Sequence, residues 1–286
     1  MKNITLFVLF LSFQLCYAQN ETDTRKKKVE ESFSMQKTYA PDQSIAFSTI
    51  EDQMKAHKIN GASIAVVHNG QIAWTKTYGL ANVKENTPLQ KESLFQCASI
   101  GKLITALAIL QLCQDGKLDL DQPVNNYLKR WKIPENTLTK QKPVSIRHLL
   151  SHTSGLKDQY GFKGYTPGTK IPNSIQILNG EAPSNAKKTL EIKSLPGAEE
   201  SYSGAGYLIL QVLLEDVTGQ SFPEVIKQSI LGPLAMQHTV YQFQPDKESG
   251  KPIASGHTGN GKALKKKNYH LYPEQAAAGP WTTAKN

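Results

Sequence analysis

Apolar positions change period along this 286-residue chain, and each change predicts an element. In "DQSIAFSTIEDQMKAHK" (42–58), Ala46, Phe47, Ile50 and Met54 recur at helical spacing. In "ASIAVVH" (62–68) and "QIAWTKT" (71–77), Ile64 and Val66, then Ile72 and Trp74, fall at every second position, the period of a strand. Asn69-Gly70 separates the two runs, and both residues of such a pair accept positive φ, so a tight hairpin is predicted. A helix over 99–115 follows, with Leu103, Leu107 and Leu110 on one face and a stop at Gly116. "SIRHLL" (145–150) reads as a short helix ended by "TSG". "GYLILQVLLEDVTG" (206–219) is apolar nearly all round, which predicts a buried helix closed by Gly219. "SFPEVIKQSIL" (221–231) starts another, with Ser221 and Glu224 as a capping box. No internal repeat is visible. One helix, a hairpin and then mostly helices predict an α/β (α+β) fold: a small antiparallel sheet packed with a helical lobe.

The first residues follow a different logic. Lys2, an apolar run from Ile4 to Cys16, and Cys16-Tyr17-Ala18 before Gln19 read as a signal peptide over 1–18. The run is shorter than the ~20 residues of a spanning helix. Phe13, Gln14 and Leu15 argue against lipid attachment at Cys16. Residues 19–40 are polar and lysine-rich, the composition of a flexible leader, which leaves 41–286 as the folded domain. The expected product is exported, periplasmic or extracellular, with no membrane segment in the mature chain. Cys97 and Cys113 then remain. On one helix they would stand about 24 Å apart, well beyond the roughly 7 Å that a disulfide spans, so two buried thiols without a bridge are expected. The formal charge of +9 comes from runs such as "RKKKVEES" (25–32) and "KALKKKNYH" (262–270). These runs lack aromatics arranged as a stacking platform and belong to no nucleic-acid module. They read as solvated surface, and no nucleic-acid partner is expected.

Ser99-Ile100-Gly101-Lys102 spells S-x-x-K. The same pattern recurs at Ser34–Lys37, Ser154–Lys157 and Ser184–Lys187, so spacing alone says little. Only Ser99 opens a long apolar helix. There, residues three apart lie about 5–6 Å from one another on one face, at a helix end that favours developing negative charge. Serine needs a base to become a nucleophile. Lysine can be that base if its pKa falls from ~10.4 to ~7, which costs about 4.6 kcal/mol. Burial and cationic neighbours supply shifts of ~3–5 units. His148 and His152 are spaced like zinc ligands, but "HLLSH" lacks the glutamate of H-E-x-x-H and a third ligand, so no metal is expected. "CASIG" (97–101) approaches G-x-S-x-G without the glycine its tight turn needs.

Taken in order, "FQCASIGKLITALAILQL", "DGKLDLDQPVNNYL", "VSIRHLLSHTSGL", "LPGAEESYSGAGYLILQVLLEDVTGQSF", "LGPLAMQHTVY" and "AAAGPWTTA" resemble the serine β-lactamase-like hydrolases. That family includes class C β-lactamases, DD-peptidases and related esterases and aminopeptidases. The resemblance covers about residues 60–286 and implies the β-lactamase/transpeptidase-like fold. It further implies that Ser99 is the acylated nucleophile, Lys102 its partner, and Tyr202, at the Y-x-N position, a proton shuttle to the leaving group. Gly204 stands where that motif has a substrate-contacting asparagine. A site that loses such a contact discriminates differently, so ester or peptide hydrolysis is expected over efficient β-lactam hydrolysis. In the family, A-A-A-G-x-W-x-T precedes further strands carrying a third motif, K-T-G or H-x-G. "HTG" (257–259) comes too early for it, Pro280 replaces a leucine-like residue, and the C-terminal sheet strands are therefore expected to be missing. The expected function is an exported serine hydrolase acting on a small ester, amide or peptide through an acyl-enzyme on Ser99, without cofactor. The alternative is a non-catalytic pseudoenzyme, or a peptidoglycan- or ligand-binding protein, on the same fold.

Overall fold

The computed structural model describes residues 23–32, 47–157, 163–243, 250–264 and 269–286. The expected signal peptide lies outside them, as does part of the expected leader. The chain divides into two units, one running to Lys91 and taking in His257–Ala263, the other built from Glu92–Gly256 and Leu264–Ala284.

The first unit holds helices α1 (23–31) and α2 (Ile50–Ala56) and a three-stranded antiparallel sheet of β1 (Gly61–His68), β2 (Gln71–Asn82) and β3 (Thr87–Pro88) in that order. The hairpin forms at the expected turn: Asn69 (φ 50°) and Gly70 (φ 72°) both take the left-handed conformation. α2 starts later than its apolar spacing suggests. Thr49 caps it by accepting the Asp52 N–H, which leaves Phe47 outside and exposed. Ile50, Met54 and Tyr78 form a small core with Ala62 and Ile64. The expected leader contains α1, whose Glu30 carboxylate accepts hydrogen bonds from Lys76 Nζ and Tyr78 Oη on β2.

The second unit is mainly helical. A 3-10 turn (Ala98–Ile100) leads into α3 (Gly101–Gln114). Then come α4 (Thr137–Gln141), α5 (Ile146–Leu150), α6 (Ser174–Asn179), α7 (Gly204–Thr218), α8 (Phe222–Ile226) and α9 (Gln275–Ala278). α8 winds on in π form through Lys227–Leu231. β4 (Phe95–Gln96) and β5 (Trp281–Thr282) pair antiparallel.

α7 is the axis of this unit. Every residue from Gly204 to Leu214 is buried, and α3, α5, α6, α8 and α9 all pack on it. Ser203 caps its start, accepting the Gly206 N–H at 3.0 Å, and Gly219 closes it at φ 70°. Asp216 ties it to the chain before α4: its carboxylate accepts the Lys129 and Arg130 N–H groups and the Arg130 guanidinium. The expected capping box is present at Ser221/Glu224, and a second, not read from the sequence, forms at Ser145/His148.

α3 departs from expectation. Its inward face is Lys102, Thr105, Ala108, Ile109 and Leu112. Leu103, Leu107 and Leu110 face solvent at 66%, 40% and 44% exposure. Hydrogen bonds fix this rotation. Thr105 Oγ1 donates to the Ala276 carbonyl at 2.9 Å and Lys102 Nζ to the Ala277 carbonyl at 2.8 Å, so the polar side chains must face α9. Either side of α3 offers apolar area to bury, whereas a buried donor left unpaired costs about 1–3 kcal/mol, so these two bonds favour the observed side. Cys97 and Cys113 are unbridged, as expected, though each is only half-buried.

Candidate active site

Ser99 sits in the 3-10 turn ahead of α3 and is exposed. The turn is held from both sides. The Cys97 N–H donates to the Pro280 carbonyl at 3.0 Å. The Pro280 ring packs so tightly on Gly101 that an added Cβ would meet its Cγ at 2.5 Å. Pro280 thus braces the turn that carries the serine. Ala98, just before Ser99, takes φ 45°, a left-handed conformation costing about 1–2 kcal/mol for a residue with a Cβ.

Lys102 lies one turn on and is buried at 8% exposure. Its Nζ donates to Ser99 Oγ at 3.1 Å and to the Ala277 carbonyl at 2.8 Å. The amine is therefore aimed at the hydroxyl by a backbone acceptor on another helix. Nζ also lies 5.0 Å from the ring centre of Tyr202 and 5.4 Å from that of Tyr207. Tyr202 precedes α7 and is 56% exposed. The His152 ring packs on it with centroids 4.5 Å apart. Burial raises the Tyr207 pKa, and the neighbouring Tyr202 raises it further, so Tyr207 stays a neutral phenol. Burial likewise raises the Cys97 thiol pKa, which leaves the sulfur a poor competitor to Ser99 as nucleophile.

The structure thus brings Ser99, Lys102 and Tyr202 together. Gly204 is two residues from Tyr202 but lies inside the first turn of α7, buried, and offers no side chain. The two histidines spaced like zinc ligands diverge. His148 accepts the Ser145 N–H through Nδ1 in its capping box, while His152 faces the tyrosines. Sequence reasoning did not find the Ala277 carbonyl, because a backbone acceptor leaves no mark in a run of alanines. It also weighed His152 only as a metal ligand.

A lysine-bonded serine at a helix start, with a tyrosine ring beside the lysine, thus sits on a β-lactamase/transpeptidase-like fold of helices and small antiparallel sheets. The Beta-lactamase family profile matches residues 47–286, and the chain belongs to that family. It is 29% identical over 228 residues to Protein flp of Staphylococcus aureus strain MRSA252, covering 80% of this chain and 44% of that one. It is 33% identical over 184 residues to Penicillin-binding protein 4* of Bacillus subtilis strain 168, covering 64% and 38%. The chain therefore spans less than half the length of these curated relatives. Among solved structures, the octameric penicillin-binding protein homologue from Pyrococcus abyssi superposes with a TM-score of 0.66 at 27% identity, over 82% of this chain and 52% of that one. A β-lactamase/D-alanine carboxypeptidase from Yersinia pestis shares the fold with a TM-score of 0.61 at 21% identity, over 82% and 63%. Among the described residues, no helix is long and apolar enough to cross a membrane.

Proposed function

We propose that this chain is an exported serine hydrolase that cleaves a small ester, amide or peptide through an acyl-enzyme on Ser99. The observation that carries this reading is the 3.1 Å contact between Lys102 Nζ and Ser99 Oγ, with the same amine anchored at 2.8 Å on the Ala277 carbonyl. In its uncharged form Lys102 takes the Ser99 hydroxyl proton as Oγ bonds to the substrate carbonyl carbon. The carbonyl π electrons move to oxygen. When they return, the bond to the leaving group breaks, and the leaving group takes a proton relayed from Lys102 by Tyr202. Water, deprotonated by the same pair, then attacks the acyl carbon and releases Ser99 with its proton restored. In this reading the Ser99 N–H, at a helix start, donates to the oxyanion.

Gly204 sets the substrate preference. With no amide at this position, the site has one anchor fewer for the polar side chain of a β-lactam, and small acyl esters are favoured. Lys2 and the apolar run to Cys16 support export. A fluorophosphonate probe tests the reading directly. Mass added on Ser99 in the intact protein, and lost in Ser99→Ala, is the expected result. A folded wild-type protein that neither takes the probe nor turns over activated esters would favour a non-catalytic binding role.

A further inference from the structure

His152 follows α5 in a left-handed conformation, φ 59°, which histidine tolerates better than most residues. That conformation lets one residue grip both neighbours of Tyr202. The His152 carbonyl accepts the Ser201 N–H at 2.8 Å, and His152 Nδ1 accepts the Ser203 N–H at 3.1 Å. Between these two points the His152 ring packs on the Tyr202 ring at 4.5 Å with a 40° tilt. On α7, the Tyr207 ring packs on His152 at 5.3 Å, and Tyr207 Oη donates to the Leu150 carbonyl at 3.3 Å. Tyr202 is thus held along its backbone on both sides and on one ring face, while Lys102 Nζ lies 5.0 Å from its ring centre.

We propose that His152 is a positioning residue that holds Tyr202 beside Lys102, and that only its neutral, Nε2-protonated form does so. This rests on the hydrolase reading for its catalytic consequence but not for its structural one. An N–H donor at Ser203 requires a lone pair on Nδ1. Protonating the ring puts a hydrogen there, and two donors then face each other. The new positive charge also falls on a ring packed against the two tyrosines that Lys102 Nζ faces. Tyr202 and Tyr207 are the titratable groups whose rings pack on it, at 4.5 and 5.3 Å, and Lys102 Nζ faces both of those tyrosine rings. The bond to Ser203 is therefore lost on acidification, and Tyr202 loses one of its three holds. A misplacement of about 1 Å costs roughly 10²-fold in rate at such a site.

Two variants of the full chain test this. His152→Asn keeps an acceptor at the Nδ1 position and tolerates the left-handed backbone, but it cannot titrate in this range. His152→Phe keeps the ring and removes the acceptor. In wild type, the NMR signals of the Ser203 amide and the Tyr202 ring should move together as pH falls below neutrality. In His152→Asn both should stay fixed. For nitrophenyl ester turnover, His152→Phe should lower kcat by roughly 10²-fold with KM little changed. His152→Asn should keep more of the activity and lose the acid limb of the pH–kcat profile. A Ser203 amide titration or an acid limb that survives His152→Asn overturns the proposal, as does a wild-type kcat in folded His152→Phe. If the wild type proves inert to probe and ester, the hydrolase reading fails and the amide titration alone decides the clamp.

Discussion

Replacing Glu274 with glutamine should flatten the pH dependence of stability. Glu274 directly precedes α9, and its carbonyl accepts the Ala277 and Ala278 N–H groups at 3.0 and 2.9 Å. The side chain is only 4% exposed, and its Oε2 has no hydrogen-bond partner among the described residues. Burial pushes its pKa from the ordinary 4.5 up to about 7, against the opposing pull of its own backbone N–H. The sign follows from proton linkage. Below pH 4.5 both folded and unfolded chains hold the proton, and the native state suffers no penalty. Between 4.5 and about 7 the unfolded carboxyl ionises while the folded one does not, so stability falls as pH rises and then levels off. At ~1.36 kcal/mol per pH unit the loss is about 3 kcal/mol. That corresponds to roughly 6–12 °C in melting temperature for a domain of this size. Glutamine matches the shape and cannot ionise. Calorimetric melts of both proteins from pH 4.5 to 8 should therefore diverge, with Glu274→Gln the more stable at pH 8. Parallel curves would show that Glu274 ionises freely in the native state and that the burial argument is wrong.

Lys102→Met should lower kcat/KM for a nitrophenyl ester by at least ~10²-fold and cost about 1–3 kcal/mol in melts, because the Ala277 carbonyl loses its donor; an unchanged pH–rate profile would point to another base. Ala98→Gly should raise stability by up to about 1 kcal/mol, the relief of left-handed strain less the added freedom of the unfolded chain, and a lower melting temperature would refute the strain at this turn. Hydrolysis of p-nitrophenyl acetate should exceed that of a chromogenic cephalosporin by a wide margin; efficient cephalosporin turnover would remove Gly204 as the basis of the preference.

The sequence revealed most where one local rule governs. Asn69-Gly70 specified the hairpin turn, Gly219 the end of α7, and Ser221 with Glu224 the start of α8. Ser99 and Lys102 were legible as a pair because helical geometry alone places residues three apart on one face. It revealed least where distant groups decide. α3 is apolar on more than one side, so periodicity could not choose which side faces inward. Thr105 and Lys102 chose it, through carbonyls about 170 residues away in sequence. The clamp on Tyr202 was hidden for the same reason. Ser201, Ser203 and His152 look unrelated until α5 and α7 pack together.

Because α3 is oriented by two hydrogen bonds, its outer side keeps a strip of hydrocarbon in water. Ile100, Leu103, Leu107 and Leu110 run along that strip, starting beside Ser99, at 40% to 72% exposure. The strip governs how the isolated chain behaves at the bench. Continuous apolar surface of this kind promotes self-association as concentration rises, and more strongly in sulfate or phosphate, which are excluded from protein surfaces. Since the strip takes no part in fixing α3, Leu103 and Leu107 can be exchanged for charged residues to keep the protein in solution, with the Lys102 and Thr105 anchors left intact.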